Sequence, residues 1–220
     1  MKRFAGLIVG VVAAVVFARL GVWQLDRRAE RRDRNALLEA RLSQPPIHLT
    51  EAGPLLTAAA DSLRFRRVRA VGRFDFLYEA VQGGLSYNGA PGVHLMTPLR
   101  LADGAGVLVD RGWTYAADGM TANRDSLREP DSTVVEGVFV APVARWGVRP
   151  DTLDAGYPML RPILRRTEGP SGLPTGLAVP PLPALDDGPH LAYALQWFSF
   201  AVIAVVGGAL LSRRPKTRAH

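Results

Sequence analysis

The chain has 220 residues, 27 basic against 20 acidic side chains for a formal net charge of +7, and no cysteine. The absence of thiols excludes a disulfide framework, thiol catalysis and cysteine-based copper or zinc delivery. The basic surplus gathers at the two ends and in one run after the first apolar stretch, without interleaved aromatics, so nucleic acid is not indicated as a partner. The length fits one domain with attachments.

Lys2 and Arg3 precede an uncharged stretch from Phe4 to Ala18. That is short for a membrane span and suits a signal-peptide core, with Val16-Phe17-Ala18 resembling a cleavage site. The apolar character resumes as Leu20-Gly21-Val22-Trp23-Gln24-Leu25, however, and Arg19 can snorkel to the headgroups. We read an uncleaved transmembrane helix over 4–25. A charged juxtamembrane helix follows over 26–44, with Glu30 and Arg34 four residues apart and Leu37, Leu38 and Leu42 as its apolar stripe. The helix is expected to run on until Gln44-Pro45-Pro46.

Residues 45–189, between the two transmembrane helices, read as a β-rich, mainly antiparallel β (α+β) periplasmic domain. Arg67 to Val71 alternates as a strand does, with Gly72 as a bulge. Val93 to Leu101 and Gly106 to Trp113 read as two strands joined by a tight turn. Ser132 to Val140 is a further strand, ended by Pro142. Seven prolines and four glycines between Pro162 and Pro189 predict a loop rather than a packed element, within a Pro/Gly-rich stretch 150–189. No nucleophile elbow or phosphate loop occurs, and Asn88 to Gly92 is a turn. His48, His94 and His190 lack metal-ligand spacing, no carboxylate pair stands out, and Asp110-Arg111 reads as a strand-end ion pair. Nothing here indicates an enzyme.

From Leu191 to Leu211 no residue is charged. Those 21 positions span roughly 31 Å as a helix, about the hydrocarbon thickness of a bilayer. We therefore place a second transmembrane helix over 190–211 and a basic cytoplasmic tail over 212–220. Asp186 and Asp187 precede this span and four basic residues follow it, which puts both termini in the cytoplasm and the domain outside. His190, Tyr193, Ala194 and Trp197 follow helical spacing on one face. That face reads either as an aromatic belt with an interfacial histidine, or as a ligand at the outer mouth of a helix pair.

Three stretches carry a resemblance. They are Leu20-Gly21-Val22-Trp23-Gln24-Leu25-Asp26-Arg27-Arg28, then Gly89 to Leu99 continuing through Val107 to Trp113, and His190 to Phe198. In this order, around a β-rich domain, they make the chain similar to the Surfeit locus protein 1 family, membrane factors for assembly of cytochrome c oxidase. The resemblance implies a multi-pass protein of the bacterial plasma (inner) membrane that works on the haem-bearing oxidase subunit and binds haem a. It implies His190 as the iron ligand, Trp23, Trp197 and Tyr193 near the porphyrin, and Arg27 or Arg28 near a propionate. Homo-oligomers are compatible with it, as is a structural scaffold that binds no haem.

Reporter fusions at Gly53 and at Ser212 should mark opposite sides of the membrane. Reporters on the same side, or a mature N-terminus at Arg19, would refute the two-span arrangement.

Overall fold

The computed structural model describes residues 2–142, 147–167, 173–182 and 184–213. In chain order its elements are α1 (Lys2–Leu42), β1 (Ile47–Leu49), α2 (Gly53–Leu56), α3 (Ala60–Leu63), β2 (Arg67–Phe74), β3 (Ala80–Tyr87), β4 (Ala90–Arg100), β5 (Gly106–Tyr115), β6 (Ser132–Val140), β7 (Met159–Arg166), β8 (Leu177–Ala178) and α4 (His190–Arg213). They form two compact units, Met1–Leu38 with Ala184–His220, and Glu39–Pro183.

The first unit is a helix pair. The apolar stretch and the charged run behind it are one uninterrupted helix, α1, which ends ahead of Pro45 and Pro46. Both α1 and α4 are long and apolar enough to cross a membrane. The residues of α1 withdrawn from solvent include Gly10, Ala14, Phe17, Gly21, Gln24, Arg28, Arg31, Asn35 and Leu38. Alternating steps of four and three keep these on one stripe. On α4, His190, Ala194, Trp197, Ala201, Ala204 and Gly208 repeat the same rhythm. Matching seams of this period pack as ridges into grooves at a shallow crossing.

The helices run antiparallel, Gly10 against Gly208 towards one end and Gln24 against His190 towards the other. A β-carbon on Gly10 would lie 2.6 Å from the Ala204 carbonyl oxygen, and one on Gly208 2.8 Å from that of Gly6. The two backbones therefore touch. Such close backbone approach through small residues is the van der Waals contact by which apolar helices of membrane-spanning length pair.

The second unit is a mixed sheet that closes on itself. The hydrogen-bonded order β2-β6-β7-β5-β4 returns to β2 through Arg73 with Arg100 and Phe74 with Leu99. Pairing is antiparallel except between β5 and β7 and between β1 and β2. The ring encloses Val68, Ala70, Phe74, Leu99, Val107, Val109, Val135, Phe139 and Leu164, and Leu63 of α3 joins this core. Asp103, in the turn between β4 and β5, accepts from Ala52 N–H at 2.8 Å and Gly53 N–H at 2.9 Å and so holds the start of α2. Desolvation raises the Asp103 carboxyl, but these donors and Ala105 N–H outweigh it and hold it below the usual carboxylate range.

Several expectations are corrected here. Gly72 is no bulge: it pairs in register with Thr133. Glycine is needed there because a β-carbon would lie 2.3 Å from the Arg100 carbonyl oxygen, where β4 crosses to close the ring. The Pro/Gly-rich stretch is not all loop. Met159–Arg166 is the strand between β6 and β5, and the register slips between Gly106/Met159 and Leu108/Ile163, where Pro162 has no N–H to donate. β3, whose polar Gln82-Gly83-Gly84 centre hides its alternation, pairs with β4 across the Asn88-Gly89 turn.

Asp110 and Arg111 are not an ion pair with each other. The register shift opposite Leu95 and Met96 of β4 leaves Arg111 as the extra residue on β5. The two side chains lie on opposite faces because β5 alternates, with Val107, Val109 and Arg111 inward and Leu108 and Asp110 outward. Arg111 turns inward and is fully buried. Its Nη1 donates to Glu79 at 2.6 Å, its Nε to Glu129 at 2.8 Å, and its Nη2 to the Leu127 carbonyl. Arg166 adds a second cation, its Nη1 donating to Glu129 at 2.9 Å; Nη2 is also 2.9 Å from that carboxylate but misaligned for a hydrogen bond. The rings of Phe74 and Phe76 lie 5.4 and 5.1 Å from the Arg111 guanidinium. Two buried cations meet two buried carboxylates, so removing one member leaves an uncompensated charge. Arg111→Met should destabilise the domain by about 3–5 kcal/mol, read by urea unfolding, and a loss below about 1 kcal/mol would refute this account of the quartet.

Candidate functional site

The N-terminal start of α4 is built by short-range electrostatics within the helix pair. Arg28 donates from Nε and Nη2 to one Asp187 oxygen, at 3.1 and 2.8 Å. Arg31 donates from Nη2 to the Asp186 carboxylate at 2.6 Å and from Nε to the Asp186 carbonyl at 2.8 Å, which also accepts from Asn35 at 2.8 Å. Gly188 turns the chain with φ +65°, a conformation that glycine adopts without strain. Pro189 then leads into the helix, its carbonyl accepting from Tyr193 N–H. This clasp fixes where α4 begins and so which way His190 points.

His190 Nδ1 lies 2.9 Å from Gln24 Oε1 on α1. With the amide oxygen as acceptor, Nδ1 carries the proton and the neutral ring keeps a lone pair on Nε2. Ala194, one turn further on, is 1% exposed and faces α1. Beyond it Trp197 stacks on Phe17 with centroids 5.8 Å apart, and Phe200 meets both edge-on. A β-carbon on Gly21 would lie 2.6 Å from the Phe198 ring, so a flat aromatic face covers α1 there.

The structure brings His190 and Trp197 together on the seam, while Tyr193 and Trp23 lie off it, 48% and 49% exposed. Arg28 is engaged by Asp187, whereas Arg27 is more open, paired with Glu30 at 2.7 Å and 5.8 Å from the Trp23 ring. Gln24, Phe17 and the Asp186–Asp187 pair are the participants that the sequence reading did not place in the site. Their signal was the four-three alternation that joins Phe17, Gln24, Arg28, Arg31 and Asn35 along α1. Among the described residues, no three histidine or carboxylate side chains gather as a metal-ion cluster.

Two helices long and apolar enough to cross a membrane flank a mixed-sheet domain, an arrangement compatible with a membrane protein. The sequence model of the SURF1 family matches residues 11–202, and the chain belongs to that family, which is linked to assembly of cytochrome c oxidase. An uncharacterized SURF1-like protein of Mycobacterium bovis is 28% identical over 91% of this chain and 79% of its own length. A SURF1-like protein of Monosiga brevicollis is 26% identical over 99% of this chain and 92% of its own. A SURF1-like protein of Rickettsia felis is 30% identical over 48% of this chain and 45% of its own.

The native chain has no cysteine, so cysteines introduced as Gln24→Cys and His190→Cys can be joined with a short bis-maleimide. Adding Gly10→Leu, which drives a side chain into the α4 backbone, should reduce that cross-link several-fold. Unchanged cross-linking would mean that the glycine contact does not set the pairing.

Proposed function

We propose that this protein is an assembly factor for cytochrome c oxidase that holds haem a on its helix pair and presents it to the haem-bearing oxidase subunit. In this reading it lies in the bacterial plasma membrane with both termini in the cytoplasm and the β-domain outside. The supporting observation is the Nδ1 hydrogen bond of His190 to Gln24, which leaves Nε2 as a free donor atom. Ligating histidines characteristically give their other N–H to an acceptor that fixes tautomer and ring orientation. The residues present therefore fit the group: an imidazole lone pair, flat aromatic neighbours in Trp197 and Phe17, and Arg27 for a propionate. Bound there, haem a would supply an iron centre that the His190 imidazole would hold.

The chain's own residues do the holding. Gln24 orients the ring, and the Arg28–Asp187 and Arg31–Asp186 pairs keep His190 at the end of the helix. One imidazole and dispersion contacts retain a macrocycle without enclosing it, which suits a cofactor meant to leave. A second reading, a scaffold that binds the immature oxidase subunit without haem, is favoured by the self-sufficiency of the clasp, whose charges are already paired.

The two readings separate spectroscopically. Purified from cells that make haem a, the parent should carry a Soret band. His190→Ala should lose or shift that band, and Gln24→Leu should weaken retention by about 10–100-fold. His48→Ala should leave it unchanged. A His190→Ala protein with the parent's haem content and spectrum would remove the ligand assignment, and a colourless parent that still supports oxidase assembly would favour the scaffold.

A further inference from the structure

Next to Arg111, which points into the barrel, Asp110 alternates to the outer face of β5, where it meets His94 of β4. His94 Nδ1 lies 2.8 and 2.9 Å from the two Asp110 carboxylate oxygens, and Gly112 N–H adds a bond at 3.2 Å. Both side chains are largely buried, 12% and 13% exposed. They line a cavity of about 410 Å³ whose other walls include Met96, Ile163, Val140 and Arg165.

Asp110 and Arg165 are register partners on neighbouring strands β5 and β7. They are nevertheless not within ion-pair distance of each other, and the Asp110 carboxylate is engaged by His94 and Gly112. Among the described residues Arg165 has no carboxylate within ion-pair distance, unlike Arg111, Arg149 and Arg166. The cavity thus offers an open guanidinium and an imidazole whose Nδ1 is already held. Its apolar wall is Met96 and Ile163, which pack with Leu108.

We propose that this outer-face cleft binds a small amphipathic monocarboxylate. Arg165 takes the carboxylate through its planar fork, His94 donates from Nε2 in its imidazolium form, and Asp110 balances the ring's charge. The apolar tail lies along Met96 and Ile163. The cavity has room for a chain of a few carbons, and acetate alone would leave its apolar wall uncovered. Nothing in this proposal depends on haem, since every group belongs to the β-domain.

The test uses the full chain in lipid nanodiscs with imidazole-¹⁵N histidine, the His94 resonances being assigned with His94→Gln. Hexanoate should shift the His94 Nε2 signal saturably towards the protonated position, while hexanamide, which has the same tail and no charge, should not. Acetate should bind at least about tenfold more weakly, and Arg165→Gln should weaken hexanoate by a similar factor with the His190 signal unmoved. No saturable shift with hexanoate, or an equal shift with hexanamide, overturns the proposal, and this comparison on the parent decides even if Arg165→Gln does not fold. Inorganic phosphate binding as tightly as hexanoate also overturns it and indicates a lipid headgroup instead.

Discussion

The contact between Gly10 and Gly208 is the constraint on which the helix pair depends. Helices in lipid gain little from burying apolar side chains against one another, so they associate only where their backbones approach closely. Two glycines opposite each other permit that approach. Once it is made, the four-three seam has one register, and the outer residues follow from it in order: Phe17 against Trp197, Gln24 against His190, and Arg28 and Arg31 against Asp187 and Asp186. The position of His190 is thus fixed at both ends, by packing deep in the pair and by charge at its mouth.

The β-domain solves a different problem. A sheet of short strands leaves polar edges, and this one removes most of them by closing β4 onto β2, with β1 continuing along the same edge of β2. Closure draws Arg111 and Arg166 inside, and Glu79 and Glu129 balance them there. A buried ion cluster of this kind is weak evidence for added stability, because desolvation offsets much of the attraction. Its clearer consequence is specificity of register: slipping β5 by one residue would exchange Arg111 with Asp110 and leave charges facing an apolar core.

Much of this was legible in the sequence, and the exceptions have physical causes. The two apolar helices were read from the length of their uncharged runs, the strand at Arg67 from alternation, and those at Val93 and Gly106 from the tight turn between them. β7 was hidden because Pro162 and the prolines after it argue for loop, while the sheet accommodates that one proline in a register slip. β3 was hidden because a polar edge strand with two adjacent glycines has no apolar period. In the helix pair, His190 and Trp197 could be found from helical spacing. Gln24 could not be assigned a role, because its partner depends on how two helices far apart in sequence are set against each other.

His190 and His94 illustrate how context divides one side chain between two chemistries. Each ring has Nδ1 held by an acceptor and Nε2 turned to other uses. At His190 the acceptor is an amide, which orients the ring without adding charge, so a neutral lone pair is presented beside aromatic faces. At His94 the acceptor is a carboxylate, which can neutralise an imidazolium, and a guanidinium lies on the neighbouring strand. In the two proposals, the first setting would take a Lewis acid such as iron and the second an anion. The alternation of β5 is what makes the second setting available, because with Arg111 buried in the barrel its neighbour Asp110 is turned to the cleft outside it.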